Sequence, residues 1–488
     1  MKEEKHYKTL FKATSLFGLV EILRLLLKII TNWAASNFLG TKGFGLVGLI
    51  ENTVQLISSF SSLGINFTGV REIAVNKTND VEFQKTIKAI SQFSLFTGIL
   101  SAIISIIFAS RLSLETFKTT EYFYWFIALS VYFVATSYTQ SKIIYLEGSQ
   151  NFQKLVRINV IVNVLNSIIV LAAYYFFKTQ VIIIAMIINS VIALFFYTKL
   201  SNIPKTNVEL TPTERKLYFK KFIKSGSLLA LNTSIGLACF FIIRKYFVDT
   251  NEEILSFYNA GNLIIVSYLG IIFIAMGKFF FPKLSQSAKD HKLSNQLINN
   301  QLELSLLIIL PAIILIYTFS DFFIKILFSS ACLPVYKILI FGLISIVFRS
   351  FNYAVGYLLL SHQNFRQYFY INAVSDILNT VLTILFYEKW GLIGIGFSIF
   401  INYLFSSIYI YYYTNKKYSF KISNFVKNQF FITLIVISII LCTNFLLDKL
   451  YFTIISGIFF VISTIYSIKK IDEYILDFKI RNKFKSLF

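Results

Sequence analysis

One face of the first apolar segment carries charge. Thr14, Glu21, Arg24, Lys28 and Asn32 fall within a sector of roughly 80° when residues are placed 100° apart around a helix. If the segment crosses a bilayer, an ionised side chain near its centre costs about 2.5–3.5 kcal/mol, so this face is expected to meet a watery cavity or a partner charge. Two cations against one anion favour an anion-binding cavity at Arg24 and Lys28. The alternative is an ion pair with Glu21 that only orients the helix.

Polar side chains also follow one face of several later apolar segments. They are Glu51, Gln55, Ser58, Ser62 and Asn66 in the second segment, Asn159, Asn163 and Asn166 in the fifth, Ser345, Arg349 and Asn352 in the tenth, and Asn372, Asp376 and Asn379 in the eleventh. Interhelical hydrogen bonds explain the amides and hydroxyls as well as a polar-lined cavity does. Arg349 has no carboxylate on its own helix face, so it is a third candidate cation for the anion site.

The carboxylates Glu51 and Asp376 are candidates for charge pairing or for binding a coupling ion, H⁺ or Na⁺. Asp376 stands where the matching position of the fifth segment has Asn163, so it has a charge that its counterpart lacks. The alternative for Asp376 is a hydrogen-bonded polar residue without a role in coupling.

The composition requires a bilayer around these residues. Of the 488 residues, 56% are hydrophobic and only 14% are charged, and the mean hydropathy is +0.68. A soluble domain has about a quarter of its residues charged, and apolar runs of about 20 residues, each long enough to cross a bilayer, recur along the chain. The chain is therefore predicted to be an all-α polytopic membrane protein. The first segment, from Leu10 to about Ser36, is too long and too charged for a signal peptide and is expected to remain as a spanning helix.

About fourteen transmembrane helices are predicted. They are expected at 10–35, 45–69, 89–110, 121–146, 155–177, 180–200, 222–247, 257–281, 301–328, 336–361, 367–387, 391–413, 427–447 and 450–468. Residues 1–200 form a six-helix lobe, 201–221 a linker between the lobes, 222–415 a second six-helix lobe, and 416–488 an appended helix pair with a basic tail.

The basic residues of the connections predict the orientation. Alternate connections, counted with the two ends of the chain, hold 33 Lys and Arg residues on one side and 8 on the other. Because cytoplasmic loops are enriched in Lys and Arg, both termini and the linker 201–221 are expected to be cytoplasmic. This distribution also explains the net charge of +22 without nucleic acid as a partner.

The two halves repeat. Gln150-Asn151-Phe152, Ile158-Asn159 and Leu165-Asn166 match Gln363-Asn364-Phe365, Ile371-Asn372 and Leu378-Asn379 at a constant offset of 213 residues. Six helices separate the copies, so the halves are expected to have the same orientation in the membrane, as in parallel-repeat transporters. Three scattered cysteines and three scattered histidines have no spacing typical of a metal site, and no metal or cofactor is expected.

Several motifs resemble those of polysaccharide exporters of the multidrug/oligosaccharidyl-lipid/polysaccharide (MOP) superfamily, which includes the MATE transporters. They are Leu39-Gly40-x-x-Gly43-x-Gly45-Leu46, Leu63-Gly64-Ile65-Asn66, Tyr258-Asn259-Ala260, Phe281-Pro282-x-Leu284-Ser285, Tyr357-Leu358-Leu359 and Gly391-Leu392-Ile393-Gly394-Ile395-Gly396. The resemblance covers about residues 8–415 and is greatest to the Wzx-type flippases for O-antigen and related repeat units.

This resemblance implies a bacterial inner-membrane protein that moves an undecaprenyl-pyrophosphate-linked oligosaccharide from the cytoplasmic to the periplasmic leaflet, without a cofactor. It implies an ion gradient or membrane potential as the energy source, and a polysaccharide polymerase and chain-length regulator as partners. The resemblance implies that Arg24 and Lys28 belong to the family's cationic central cavity. Arg349 matches no family motif and is a candidate for the cavity only because of its position near the middle of the tenth segment. The second half has Gly236 at the position that corresponds to Arg24.

Two other functions compete with this interpretation. A cation-coupled drug antiporter of the MATE type would use a buried carboxylate and an apolar cavity, and here the buried cations exceed that need. A membrane-embedded glycan polymerase or glycosyltransferase would need a sizeable outer loop for its chemistry. The outer connections are short, and Asp249, Glu252 and Glu253 form their only acidic cluster. A non-enzymatic flippase is therefore the favoured prediction.

Overall fold

The computed structural model describes residues 23–76, 79–204, 208–287, 290–362 and 364–474, and all regular structure in these ranges is helical. Eleven of the described helices are long and apolar enough to cross a membrane. The prediction of an all-α polytopic membrane protein is therefore confirmed. The other three expected segments, 10–35, 45–69 and 121–146, are not among these eleven. The described parts of these segments are mostly helical, and residues 10–22 of the first lie outside the described residues.

Contacts between residues divide the chain into two compact units. The first extends to Ser256 and includes Leu327–Ser329, and the second holds Phe257–Ile326 and the chain from Ser330 onward. The helices up to the first boundary are α1 (23–38), α2 (Gly40–Ser62), α3 (Ile65–Asn76), α4 (Asp80–Ile107), α5 (Ala109–Phe117), α6 (Phe123–Gly148), α7 (Phe152–Phe177), α8 (Ile182–Leu200) and α9 (Pro212–Thr250). The division into two six-helix lobes with a linker was argued from the repeat and stays a prediction.

The later helices are α10 (Glu252–Asn262), α11 (Gly270–Gln286), α12 (His291–Thr318), α13 (Ser320–Leu327), α14 (Tyr336–Ser361), α15 (Phe365–Trp390), α16 (Leu392–Tyr418), α17 (Asn424–Leu446) and α18 (Lys449–Tyr474). A π-helical segment, Leu263–Tyr268, lies between α10 and α11 where one unbroken helix was expected. Insertions of this kind are frequent at functional sites.

The repeat is confirmed in the helix boundaries. Helices α7 and α15 both have 26 residues, and their ends differ by the same 213 positions that relate their sequences. Helices α6 and α14 differ by 213 at both ends as well. The residues after α7 and α15, Lys178 and Gly391, adopt nearly the same backbone conformation, with φ of 57° and 60°. These two pairs of helices therefore occupy corresponding positions in the two halves of the sequence.

The second expected helix is broken at Leu63 and Gly64, which have φ values of 49° and 76°. A side chain at Gly64 would meet the carbonyl oxygen of Gly226 in α9 at 2.2 Å. Two glycines thus allow the backbones of this turn and of α9 to touch, as small residues do in membrane helix packing. The sequence did not predict this break, because the apolar run continues through Ile65.

Helix α9 begins at Pro212, ten residues before the expected start at 222. Thr211 and Glu214 form a capping box in which each side chain accepts from the other residue's backbone N–H, and Pro212 occupies the first helical turn. The Glu214 carboxylate also accepts a hydrogen bond from Lys85 Nζ at 2.7 Å, which lowers the pKa of Glu214 to about 2. The basic residues of the expected linker therefore stand partly on a helix.

In the second unit, α14 contributes a long series of buried residues and is packed closely by α16. A side chain at Gly396 would lie 2.1 Å from the carbonyl oxygen of Ile338, so the glycine-rich start of α16 permits this approach. Helices α17 and α18 pack on α12, where Ser467 Oγ donates to the Leu307 carbonyl at 2.7 Å. The appended pair is thus held to the second unit by polar as well as apolar contacts.

Candidate functional site

Lys28 and Glu51 form an ion pair between α1 and α2, with Lys28 Nζ 2.7 Å from Glu51 Oε1. Their side chains are 41% and 35% exposed, so the pair is neither sealed in a core nor fully open. The chain reverses between the two helices at Leu39 and Gly40, and Gly40 has a φ of 73°. Lys28 and Glu51 lie eleven and twelve residues from Leu39, which brings them to the same level of the hairpin.

Arg24 lies one helical turn from Lys28 on α1, and its side chain is exposed. Asn32 follows Lys28 by one helical turn, just as Arg24 precedes it by one turn, and Asn32 is 4% exposed. Glu21, the expected partner of these cations, lies outside the described residues. The structure thus brings Arg24, Lys28 and Asn32 onto one side of α1 and adds Glu51 of α2 to the group.

The predicted polar face of the second helix does not continue past Ser62. Gln55 follows Glu51 by one turn on α2 and is exposed. Asn66 is exposed too, but it belongs to α3, because the chain breaks at Leu63 and Gly64. The single stripe expected from Glu51 to Asn66 was therefore wrong at its last member.

The matched amides of α7 and α15 have different partners. Asn159 Oδ1 accepts a hydrogen bond of 2.6 Å from the Tyr197 hydroxyl of α8, which is a bond between helices. Asn372 Nδ2 donates to the Tyr368 carbonyl of its own helix at 3.0 Å, and Asn372 also lines a cavity. Residues that match in the sequence repeat thus do not make the same side-chain contacts in the two halves.

Asp376 is half-buried on α15. The Thr380 hydroxyl donates to its backbone carbonyl at 2.9 Å, but no residue in the described ranges hydrogen-bonds or ion-pairs with its carboxylate. Its neighbour Ser375 is bonded to Asn402 and Ser406 of α16. The Asp376 carboxylate is therefore available to a proton or cation as far as the described residues determine.

Arg349 is held by the π-helical segment. Its Nη1 donates hydrogen bonds to the carbonyl oxygens of Ile265, at 3.0 Å, and Val266, at 2.9 Å, and the guanidinium lies 5.6 Å from the ring centre of Phe273. A side chain at Gly270 would come within 3.1 Å of Nη2, so glycine leaves room for the guanidinium. Within the described residues, Arg349 has no carboxylate partner.

Arg349 also lines a cavity of about 280 Å³ between α14, α15 and α16. Most hydrogen-bonding groups of the cavity lining belong to seven residues. They are Asn352, Tyr353 and Tyr357 of α14, Tyr368 and Asn372 of α15, and Tyr403 and Ser406 of α16. Asn352 Nδ2 donates to the Tyr403 carbonyl at 3.3 Å, whereas its buried Oδ1 has no hydrogen-bond partner. The predicted Arg349 and Asn372 therefore lie at one cavity of the second unit, together with tyrosines that the sequence did not single out.

Two features of the site were missed by sequence reasoning. The Lys28–Glu51 pair was obtainable, because Leu39 and Gly40 separate α1 from α2 and the two residues lie eleven and twelve residues from Leu39 on either side. The partners of Arg349 were not, because neither the π-helical segment nor its contact with α14 has a sequence signature.

Comparisons with known proteins identify a family, a relative and structures that this chain resembles. A family model described as a polysaccharide biosynthesis protein matches residues 35–337. A Shigella flexneri protein named as a candidate O-antigen transporter is 23% identical over 327 residues, which cover 64% of this chain and 74% of the relative.

Two solved structures have a similar fold. One is the lipid II flippase MurJ in an inward closed conformation, with a TM-score of 0.70 and 15% identity over 94% of this chain and 99% of that one. The other is a multidrug resistance MATE transporter of the MOP superfamily in an inward-facing conformation, with a TM-score of 0.66 and 14% identity over 81% and 94% of the two chains. Since the family model spans more than half of the residues, the chain belongs to the polysaccharide biosynthesis protein family and has the MATE- and MurJ-like fold of the MOP superfamily.

Proposed function

We propose that this protein is a flippase, which moves an undecaprenyl-pyrophosphate-linked oligosaccharide across the bacterial inner membrane for the synthesis of a surface polysaccharide. The proposal is supported by the family assignment, by the name of the Shigella flexneri relative and by the fold shared with a lipid II flippase. Transport by alternating access, with both termini in the cytoplasm, is part of the proposal. The named relatives and structures are transporters and flippases, which favours transport over catalysis.

One observation carries the proposal: a partly exposed cation on α1, Lys28, that is paired with a carboxylate of α2. Lys28 is paired with Glu51, and Arg24 lies one turn away on the same side of the helix. Burying an unpaired pyrophosphate in the membrane is far costlier than burying it against opposite charge. Arg24 offers a planar fork to phosphate oxygens, and Lys28 adds a point charge. Glu51 neutralises Lys28 when cargo is absent and is displaced by the pyrophosphate.

The carboxylates Glu51 and Asp376 are the groups that can couple transport to an ion gradient. Glu51 is released when Lys28 turns to the cargo, and Asp376 has a carboxylate without a partner in the described ranges. Either group can take up H⁺ or Na⁺ in one conformation and lose it in the other. We propose Asp376 as the coupling residue, because its carboxylate has no partner among the described residues, whereas Glu51 is paired with Lys28.

The test is surface-glycan display in a strain that lacks its own flippase for the same repeat unit. We expect R24A/K28A to restore less than a tenth of wild-type display while the protein remains at normal abundance in the membrane, since losing charge eases helix insertion. Arg24→Lys is expected to be defective although it keeps the charge, because the fork is lost. Lys42→Ala removes a cation that pairs with Glu252 at 3.4 Å outside this site and serves as the matched control. Normal display by R24A/K28A would rule out the α1 site.

A further inference from the structure

The cavity beside Arg349 has the chemistry of a binding site that is separate from the cations of α1. We infer that it binds an acidic sugar group, meaning a sugar that carries a phosphate or a carboxylate. The inference deepens the proposed function, and it rests on that function only for the claim that this group is part of the transported cargo.

Part of the Arg349 guanidinium has hydrogen-bond donors that the described residues leave unused. Arginine has five N–H donors, and the two on Nη1 are taken by the carbonyls of Ile265 and Val266. The three on Nε and Nη2 have no hydrogen-bond partner among the described residues. The Nε–H and one Nη2–H lie on the same edge of the guanidinium, and this edge can bind two oxygens of one phosphate or carboxylate. The carbonyl contacts fix the position of the fork without neutralising its charge.

The charge of the cavity favours an anion as its ligand. Among the described residues that line the cavity, Arg349 is the one ionisable group apart from tyrosines, and none is an aspartate or a glutamate. A cation that faces a cavity without a carboxylate draws in an anion, because the low dielectric of the protein strengthens their attraction. By contrast, Lys28 in the first unit already has the carboxylate of Glu51 at 2.7 Å.

The cavity has more polar groups in its lining than an inorganic anion needs. Asn352 Oδ1 is buried without a donor, and leaving such an acceptor unsatisfied costs about 1–3 kcal/mol. This oxygen has almost no accessible surface, so a hydroxyl group of a ligand would satisfy it once the Asn352 side chain turns toward the cavity, whereas a fully ionised phosphate has no proton to donate. The hydroxyls of Tyr403 and Ser406 and the amide of Asn372 offer further partners to a polyol.

Size limits the ligand to one sugar. At about 280 Å³, the cavity is near the lower end of ligand pockets, which begin at about 300 Å³. The walls are joined by hydrogen bonds from Ser375 to Asn402 and from Ser406 to Ser375, at 3.2 and 2.9 Å. A rigid space of this size accommodates a single acidic sugar rather than an oligosaccharide.

The experiment measures binding of soluble probes to the purified full-length protein, independently of transport. The probes are glucose 1-phosphate, glucuronate, uncharged glucose and inorganic phosphate. We expect the wild type to bind one of the two acidic sugars at least ~10-fold more tightly than glucose, since a charged hydrogen-bonded contact is worth a factor of this order. Preference for glucose 1-phosphate identifies a phosphate as the acidic group, and preference for glucuronate identifies a carboxylate.

Variants locate the binding. Arg349→Gln is expected to weaken the preferred probe ~10–100-fold, and Arg349→Lys to weaken it ~10-fold, since it keeps the charge but loses the fork. Because Arg349→Gln also removes the bonds to the π-helical segment, Arg349→Lys with an unchanged melting temperature is the decisive variant. Asn352→Ala is expected to weaken the acidic sugar but not inorganic phosphate. Arg366→Gln, which removes an exposed arginine of α15, is the control of equal charge.

The inference is wrong if neither acidic sugar binds more tightly than glucose, or if a folded Arg349→Lys protein binds like the wild type. These outcomes do not depend on the α1 site. Normal glycan display by R24A/K28A, together with Arg349-dependent binding, would refute the proposed pyrophosphate site and leave this one standing.

Discussion

At the scale of single residues, the two members of the Lys28–Glu51 pair have opposite roles toward the cargo: Lys28 binds it and Glu51 competes with it. If Glu51 is a counter-ion that cargo displaces, removing its charge should help an anion to bind. We therefore predict that Glu51→Gln binds inorganic pyrophosphate about fivefold more tightly, whereas Lys28→Gln binds it more weakly. A gain of that size corresponds to about 1 kcal/mol, the upper range for a partly exposed ion pair. The measurement is the Kd of pyrophosphate for each purified variant.

A purely structural ion pair would give another pattern. Both substitutions would then lower the melting temperature alike and change pyrophosphate affinity in the same direction. Lys42→Gln and Glu252→Gln break a different pair of the first unit, 3.4 Å apart, and should leave the Kd unchanged. Weaker binding by Glu51→Gln would contradict the exchange of counter-ions.

Asp376 provides a second test at this scale. Asp376→Asn keeps the shape and hydrogen-bonding capacity of the side chain but removes its charge, and its repeat partner is naturally Asn163. We predict that this variant reaches the membrane normally and loses most export, or exports without dependence on the H⁺ or Na⁺ gradient. Glycan display measured while each gradient is collapsed distinguishes these cases. Full export with unchanged ion dependence would remove Asp376 from the coupling mechanism.

The candidate residues were predictable from polarity, but their partners mostly were not. Charge on an apolar helix identifies Lys28 and Arg349 from sequence alone, because such residues are costly in a bilayer. The Ile265 and Val266 carbonyls that hold Arg349 lie more than 80 positions away in a π-helical segment. Asn159 forms an interhelical hydrogen bond with Tyr197. From polarity alone, such a bond could not be distinguished from a position in a polar cavity.

At the scale of elements, the contact between the turn after α2 and α9 depends on Gly64 and Gly226. Gly64 has a φ of 76°, and a side chain there would overlap the Gly226 carbonyl. We predict that Gly64→Ala lowers the stability of the folded protein by about 2–4 kcal/mol, through backbone strain and overpacking together. Thermal unfolding of the detergent-purified protein measures this loss.

The matched control is Gly457→Ala in α18, where a side chain would meet nothing within 4 Å. It should leave stability unchanged or raise it by up to about 1 kcal/mol, because alanine favours the helix. Equal melting temperatures for Gly64→Ala and the wild type would show that the turn can move away from α9.

Helix existence followed from apolar length, whereas helix ends and breaks depended on local chemistry. The capping box of Thr211 and Glu214 is visible in the sequence, but the many basic residues after it favoured a loop, so α9 was expected ten residues too late. The break at Leu63 and Gly64 requires two successive residues with positive φ, one of them a leucine that sequence alone does not associate with this conformation.

At the scale of the whole molecule, the repeated helix boundaries support two halves built to one plan, and the basic connections predict their orientation. We predict that a single cysteine at Thr213 or Asn482 is labelled only from the cytoplasm. The background should lack Cys442, which is exposed, as well as the buried Cys239 and Cys332. Thr120→Cys, in a connection expected on the other side, is the positive control for outside labelling. Periplasmic labelling of position 213 or 482 would overturn the topology.

The central claim is that the cations of α1 carry a pyrophosphate-linked glycan across the bilayer, and flipping in proteoliposomes tests it most directly. The measurement is the rate at which a fluorescent undecaprenyl-pyrophosphate-linked oligosaccharide changes leaflet, read by an impermeant quencher. We predict rapid movement with the wild type and with Lys42→Ala, and movement at least ~10-fold slower with R24A/K28A, as expected for loss of a charged contact. A double variant that flips the lipid at the wild-type rate, or a wild type no faster than protein-free liposomes, would contradict the account.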